Sequence, residues 1–155
     1  MKKFDFKSFI VITLITFIVG NFFSFFIINS MDTFEELNKP INIPGLLFPI
    51  IWSIIYLLMS VSCYLIYKSN DKNKKTAIII YVIQLIVNSL WTLIFFGFES
   101  YLFSFIWIIF LTILVSFMIF NFYKIDKKAA YLNILYLIWI AFAGYLNLGI
   151  YILNR

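Results

Sequence analysis

Histidine is absent from this 155-residue chain, cysteine occurs once, and only 12% of the residues are charged. Without histidine the chain lacks the commonest general base, the commonest metal ligand and the usual proximal ligand of haem iron. The single cysteine, Cys63, cannot form a disulfide within the chain. The sequence also lacks nucleophile triads, phosphate-binding glycine loops and metal-ligand clusters. It therefore predicts no metal site and no required cofactor.

The scarcity of charge is matched by an excess of apolar residues. The chain is 64% hydrophobic and 22% aromatic, with a mean hydropathy of +1.01. Soluble domains carry about 25% charged residues, so this composition indicates a membrane protein. Because each spanning helix needs about 20 apolar residues, five spans and short loops would use the whole length. The prediction is a single-domain, all-α membrane protein that forms a five-transmembrane-helix bundle.

The apolar runs set the boundaries of these helices. The predicted spans cover about residues 8–28, 46–67, 77–98, 101–123 and 130–153, with a lid loop over 29–45. They are too long and too continuously apolar for transmembrane strands, which have about 9–11 alternating residues. The first run exceeds the apolar region of a signal peptide and is interpreted as a retained span. Pro40 and Pro44 should keep the lid loop out of helix until Gly45.

Basic residues are distributed unequally between the two ends of the predicted spans. Ten lysines lie in the N-terminal segment and in the second and fourth loops: Lys2, Lys3, Lys7, Lys68, Lys72, Lys74, Lys75, Lys124, Lys127 and Lys128. The other side carries only Lys39 and Arg155. The positive-inside rule places the N-terminus in the cytoplasm, and the lid loop and C-terminus outside a cytoplasmic membrane. Lysines that set orientation account for the net charge of +5 without any nucleic-acid partner.

Three spans carry a stripe of tryptophan, tyrosine or amide residues at helical spacing. The stripes are Trp52, Tyr56, Met59 and Cys63; Gln84, Asn88, Trp91 and Phe95; and Tyr136, Trp139, Ala143 and Asn147. One interpretation is hydrogen bonding between helices, because an unpaired amide in hydrocarbon is costly. The other is a cavity whose tryptophans form flat walls for a planar ligand. A further alternative for Trp52 is an anchor at the membrane interface.

Ionisable residues are missing from the interior of every predicted span. Pumps and proton-coupled carriers usually need such groups, so ion-driven transport is disfavoured.

The same residues form motifs in a recognisable order. These are Phe34-x-x-Leu37-x-Lys39-Pro40 with Pro44-Gly45, Trp52-x-x-x-Tyr56, Gln84-Leu85-x-x-Asn88-x-x-Trp91-x-x-x-Phe95-Phe96, and Tyr136-x-x-Trp139-x-x-Phe142-Ala143-x-x-Leu146-Asn147. Together they resemble the translocator protein family, also called tryptophan-rich sensory proteins or peripheral benzodiazepine receptors. The resemblance covers nearly the whole chain.

This resemblance implies a five-helix bundle, often a homodimer, in a lipid membrane. Its pocket would lie beneath the first long loop and bind tetrapyrroles such as protoporphyrin, sterols in some members, and synthetic isoquinoline or benzodiazepine ligands. Matching positions assign as ligand-binding residues Trp52, Tyr56, Asn88, Trp91, Tyr136, Trp139 and Ala143, with Phe34 and Pro44 contributed by the lid.

The lid loop departs from the family pattern. Asn42 stands where the family usually has tryptophan, and a double proline is reduced to Pro44. Phe34 replaces the usual tyrosine at the start of the loop motif, and Leu135 replaces a proline in the fifth span. The lid thus loses an aromatic wall and a hydroxyl, and we expect the effect on porphyrin affinity to exceed the effect on the fold.

Three functions remain open at this point. The first is a receptor or sensor for a hydrophobic planar molecule such as a porphyrin. The second is an enzyme that degrades porphyrin photo-oxidatively, with Trp52 and Trp139 as the reactive residues. The third is a transporter of tetrapyrroles or sterols, for which the sequence shows no pair of broken helices.

Overall fold

The computed structural model describes residues 4–27 and 31–155, and all regular secondary structure in these ranges is helical. The helices are α1 (Phe6–Gly20), α2 (Met31–Glu36), α3 (Leu47–Lys68), α4 (Lys74–Thr92), α5 (Tyr101–Ile125), α6 (Lys127–Tyr131) and α7 (Ile134–Leu153). A 3-10 segment (Phe22–Phe26) follows α1, and a π-helical segment (Leu93–Gly97) extends α4.

Within the described residues, four helical segments are long and apolar enough to cross a membrane. They are Leu47–Lys68, Lys74–Gly97, Tyr101–Ile125 and Lys127–Leu153, with 22 to 27 residues each. At a rise of about 1.5 Å per residue, each exceeds the hydrocarbon core of about 30 Å. Helix α1 is also apolar but has only 15 residues. The protein is therefore a helical integral membrane protein, and the part that the structure describes contains four span-length segments and one shorter apolar helix.

Helix α1 ends at Gly20, before the predicted end of the first span at residue 28. The Asn21 side chain turns back and its Nδ2 donates a hydrogen bond to the carbonyl oxygen of Phe17 at 3.0 Å. The chain goes on as the 3-10 segment. Residues 28–30, where the predicted span meets the predicted lid loop, lie outside the described residues.

The lid is more ordered than a simple loop, because it contains α2. Lys39 terminates this helix: its Nζ donates to the carbonyl oxygens of Phe34 at 2.6 Å and Glu35 at 3.0 Å. A cation at a helix C-terminus satisfies carbonyls that have no partner within the helix. The chain beyond Pro40 and Pro44 is non-helical until α3, as their fixed φ and missing N–H predict.

The lid is fastened to the end of α7. The Asn154 side chain pairs with the backbone of Asn38 in both directions, accepting from its N–H at 3.0 Å and donating to its carbonyl at 2.8 Å. Next to this pair, Pro40 packs on Gly149 so closely that a Cβ at Gly149 would lie 2.4 Å from the proline Cγ. Only glycine permits this approach. The lid and the C-terminal helix are therefore in direct contact at this point.

The predicted fifth span begins with a break rather than a continuous helix. Helix α6 ends at Tyr131, and α7 starts at Ile134. The buried amide of Asn133 lies at the break and donates from Nδ2 to Ser62 Oγ at 2.6 Å and to the Ala129 carbonyl at 2.9 Å. These bonds tie the start of α7 to α3 inside the bundle.

A buried polar cluster holds three helices together near the lid. Asn147 of α7 accepts hydrogen bonds from Ser104 Oγ of α5 at 2.6 Å and from the indole N–H of Trp91 of α4 at 3.3 Å. Its own Nδ2 donates to the Ala143 carbonyl at 2.8 Å. This is the interhelical role predicted as one alternative for the amides, and it satisfies Asn147 completely on its oxygen side.

Candidate functional site

A cavity of about 520 Å³ lies between α1, α3 and α4 near the lid end of the bundle. Its volume falls in the range of about 300–1,000 Å³ that is typical of small-molecule sites. Four segments line it: Phe17, Ile18 and Asn21 from α1 and its end; Ser24, Phe25 and Ile27 from the following turn; Phe48, Pro49, Trp52 and Tyr56 from α3; and Trp91, Thr92 and Phe96 from α4 and its extension. Most of this surface is apolar or aromatic.

Stacked aromatic rings lie on two sides of the cavity. On α3, the rings of Trp52 and Tyr56, which both line the cavity, are stacked at 5.4 Å between centroids with an interplanar angle of 29°. On the α4 side, the cavity-lining Trp91 stacks at 5.5 Å and 28° on Phe95 of the π-helical segment, which lies behind the lining. The residues of each pair are four apart, which places their side chains on one face of a helix. The third wall includes Phe17, whose ring meets Tyr56 edge-on at 5.7 Å.

Tyr56 is the most firmly fixed residue of the cavity. Its hydroxyl donates to the Gly20 carbonyl at 2.9 Å and accepts from Asn88 Nδ2 at 3.1 Å. Gly20 allows this approach, because a Cβ there would lie 2.6 Å from Cζ of the tyrosine ring. The hydroxyl thus joins α1, α3 and α4. Asn88 lies behind this wall and is 2% exposed, and its Oδ1 has no hydrogen-bond partner in the described part of the chain.

The predicted site residues of α7 lie outside the cavity. Tyr136 is buried, donates to Gln84 Oε1 at 2.9 Å, and meets the Trp52 ring edge-on at 6.1 Å from its far side. Trp139 is 9% exposed and packs against Phe48, with ring centroids 5.8 Å apart. Ala143 is buried one turn further along α7. Of the nine sequence-predicted residues, Trp52, Tyr56 and Trp91 line the cavity.

The two predicted lid residues have different positions. Phe34 is 4% exposed and inserts among aromatic rings, with Phe48 at 5.4 Å and Phe96 at 5.8 Å. It thus touches two residues that line the cavity without lining it itself. Pro44 is exposed, and its carbonyl accepts from the N–H of Leu47 at 2.9 Å. In this arrangement Pro44 shapes the turn into α3 rather than the cavity surface.

The wall that α1 provides is absent from the residues predicted from the sequence. Phe17, Asn21 and Ser24 follow each other at intervals of four and three residues, so they share a helix-like face. That periodicity was available in the sequence. Phe48 was also missed, although it precedes Trp52 by one turn and continues the α3 stripe toward the lid.

Comparison with known proteins identifies the family. Residues 10–153 match the model of the TspO/MBR family. The chain belongs to the TspO/MBR family. It is 35% identical over 133 residues to the tryptophan-rich protein TspO of Archaeoglobus fulgidus, covering 84% of this chain and 86% of that protein. It is also similar to the TspO of Chlorobaculum tepidum, with 33% identity and 73% of each chain covered. The tryptophan-rich sensory protein of Cereibacter sphaeroides is 31% identical over 75% of this chain and 73% of that protein.

The described lining of the cavity in this TspO/MBR family member combines aromatic rings with neutral polar groups. The polar side chains include those of Asn21, Ser24, Tyr56 and Thr92. Neutral donors and acceptors can orient a ligand by hydrogen bonds while the aromatic walls supply the contact area. No carboxylate or amine is among the described lining residues.

Proposed function

We propose that this TspO/MBR family protein is a membrane receptor or sensor that binds a hydrophobic planar molecule, such as a porphyrin, in the cavity between α1, α3 and α4. The observation that carries the proposal is a cavity of about 520 Å³ lined by the aromatic rings of Trp52, Tyr56 and Trp91, with Trp52 stacked on Tyr56. Flat rings complement a flat ligand, and each apolar square ångström removed from water contributes about 25 cal/mol.

The proposal includes the five-span topology. Helix α1 covers about 22 Å and the 3-10 segment about 10 Å, so together they match a hydrocarbon core of about 30 Å if they are collinear. With five spans, the lysine excess places the N-terminus in the cytoplasm, and the lid and cavity mouth on the outer side. Such a receptor would take its ligand from outside or from the outer leaflet. The family resemblance adds a homodimer to the proposal, which cross-linking in membranes would test.

Titration of the purified protein with protoporphyrin, followed by quenching of tryptophan fluorescence, tests the proposed site. Trp52 is a cavity wall, so Trp52→Leu removes an aromatic surface and we expect the Kd to rise about tenfold, the equivalent of about 1.4 kcal/mol. The matched control is Trp107→Leu, because Trp107 lies outside the cavity and donates its indole N–H to the Val87 carbonyl at 2.8 Å.

Two results would contradict the proposal. One is the absence of any saturable quenching in the wild-type protein. The other is an equal change of Kd in the Trp52 and Trp107 variants, because it would show that the effect is not specific to the cavity.

Photo-oxidative degradation of the porphyrin, with dissolved dioxygen as the electron acceptor, is the second candidate, supported by the position of Trp52 on the cavity wall. The structure separates Trp139 from the same cavity by Phe48. Illumination of the complex should therefore bleach porphyrin absorbance through Trp52 first. We expect Trp52→Phe to slow bleaching more than Trp139→Phe, and equal rates in all three proteins would exclude a role for the two indoles.

A further inference from the structure

Phe48 stands between the cavity and Trp139. It lines the cavity on one side, and its ring meets Trp139 edge-on at 5.8 Å on the other. The ring of Phe34, from the lid, packs against it edge-on at 5.4 Å. Phe48 is also the residue at which the two hydrophobic clusters of the bundle meet, one around α3 and Trp139 and one around Phe34 and Ala143. It therefore acts as a partition inside the aromatic region below the lid.

The residue on the far side of Phe48 from the cavity, Trp139, carries a buried indole N–H. Trp139 is 9% exposed, and within the described ranges its Nε1 has no hydrogen-bond partner. A buried donor left unpaired costs about 1–3 kcal/mol, and the great majority of buried polar groups are satisfied. An orphaned donor next to a cavity is satisfied if a ligand acceptor can reach it. Here the Phe48 ring contacts both the cavity and the ring of Trp139 that carries the donor.

The position of Phe48 in the chain permits it to move. It is the second residue of α3 and is only partly buried, whereas Trp139 and Ala143 are in the middle of α7. Side chains in a first turn are restrained by fewer neighbours than those of a helix centre. The restraint on Phe48 comes in part from Phe34, and so from the lid.

We propose that Phe48 is the specificity-determining residue of the cavity. Its ring, which packs against Phe34 of the lid, closes the side of the cavity that faces α7. A wide planar ligand binds only when the Phe48 side chain changes rotamer and exposes Trp139. A narrow planar ligand fits with Phe48 in place. A tetrapyrrole-sized ligand displaces the ring, stacks toward Trp139 and Ala143, and accepts a hydrogen bond from the Trp139 indole. This inference rests on the proposed function for the identity of the ligand, but the partition itself can be tested without any ligand.

The ligand-independent test measures hydrogen exchange of the tryptophan indole N–H groups by NMR. The four indole resonances are assigned from single Trp→Phe variants, and exchange into deuterated buffer is followed in wild type and Phe48→Ala. We expect Trp139 to exchange at least about tenfold faster in Phe48→Ala, because the ring that shields it is gone. Trp107 is the internal control, since its N–H is bonded to the Val87 carbonyl and should not change.

The ligand-dependent test is a double-mutant cycle on the Kd for protoporphyrin. The proteins are wild type, Phe48→Ala, Trp139→Phe and the double variant, with Phe48→Leu as a milder substitute if the alanine variant does not fold. We expect Phe48→Ala to lower the Kd for protoporphyrin and expect this improvement to be lost when Trp139→Phe is also present. The coupling between the two substitutions should be about two- to tenfold in Kd, the size expected when the ligand stacks on one more aromatic ring. Phe96→Ala removes another cavity aromatic that does not shield Trp139, so it should weaken binding.

The outcomes distinguish the role of Phe48 from the proposed function. Either of two results overturns the role of Phe48 and leaves the proposed function standing. One is an unchanged hydrogen-exchange rate of Trp139 in Phe48→Ala. The other is an additive double-mutant cycle in which Phe48→Ala weakens protoporphyrin binding as Phe96→Ala does. If none of the proteins binds protoporphyrin, the proposed function fails, and the exchange rate of Trp139 alone decides whether Phe48 is a partition.

Discussion

Replacement of Gly20 by alanine should disturb the cavity from the α1 side. The added Cβ would lie 2.6 Å from Cζ and 2.7 Å from Cε1 of Tyr56, well inside van der Waals distance. The tyrosine ring cannot slide away freely, because its hydroxyl is bonded to the Gly20 carbonyl and to Asn88. The clash must therefore be relieved by a shift of α1 relative to α3.

Two opposing effects set the size of the change. Overpacking of a fixed core costs about 1–3 kcal/mol. Alanine instead of glycine recovers up to about 1 kcal/mol of helix propensity, and less at the last residue of a helix. We expect a net loss of about 1–2 kcal/mol in the free energy of unfolding and, because Tyr56 is a cavity wall, a rise of the protoporphyrin Kd by about tenfold.

Thermal unfolding in detergent and fluorescence titration measure these two effects. Gly144→Ala is the matched control: it adds the same methyl group to a spanning helix away from the cavity, where the nearest neighbour is a single Ile108 methyl at 3.0 Å. If Gly20→Ala is as stable as the wild type and binds protoporphyrin equally well, the close packing of α1 on Tyr56 is refuted. An equal loss in both variants would attribute the effect to helix packing in general.

Three further predictions concern the frame around the cavity. Asn147→Leu removes the hydrogen-bond acceptor shared by α4 and α5 and should lower the free energy of unfolding by about 1–3 kcal/mol. The control Asn121→Leu loses one hydrogen bond within its own helix and should lower it by less than about 1 kcal/mol. Equal losses would show that the cluster around Asn147 does not stabilise the packing of the helices. Asn154→Ala removes the two hydrogen bonds that hold the lid backbone at Asn38, so limited proteolysis should cut the lid faster with little change in the melting temperature. An unchanged cleavage rate would show that these hydrogen bonds do not hold the lid in place. Asp5 caps α1 and accepts two hydrogen bonds from Ser8, which lower the pKa of its carboxyl group below the usual 3.8. The contribution of this cap to stability is present above pH 3.8 and is lost as the pH falls through the lowered pKa, so circular dichroism should show α1 fraying only below about pH 4. If Asp5→Ala shows the same circular dichroism as the wild type across that range, Asp5 does not stabilise α1.

The class of the fold is predictable from sequence because it depends on sums over many residues. Hydropathy and length identify the apolar segments, and the membrane forces them to be helical, since every backbone polar group must be satisfied within the segment. The local interruptions depend on single side chains. Asn21 bonds back to Phe17 where α1 ends, and Asn133 bonds to Ser62 of α3 where α7 starts. Periodicity does not reveal such partners, because they lie on other elements or are chosen among competing local bonds.

The candidate site was predictable only in part for a related reason. The stripes predict which residues face the interior, and three residues of these stripes, Trp52, Tyr56 and Trp91, line the cavity. They do not say how the interior is filled. Phe48 occupies the space between the cavity and Trp139, and this arrangement follows from the packing of its ring with Phe34, an interaction between residues of separate helices.

Protection of a single engineered cysteine tests the central claim most directly. In a Cys63→Ala background, Ser24→Cys places a thiol on the cavity surface, and Lys72→Cys places one in the exposed loop between α3 and α4. Reaction with a membrane-permeant maleimide is followed with and without protoporphyrin. We expect saturating protoporphyrin to slow labelling at position 24 and to leave position 72 unchanged. Saturable binding of protoporphyrin without protection of position 24 would place the ligand elsewhere and contradict the proposed site.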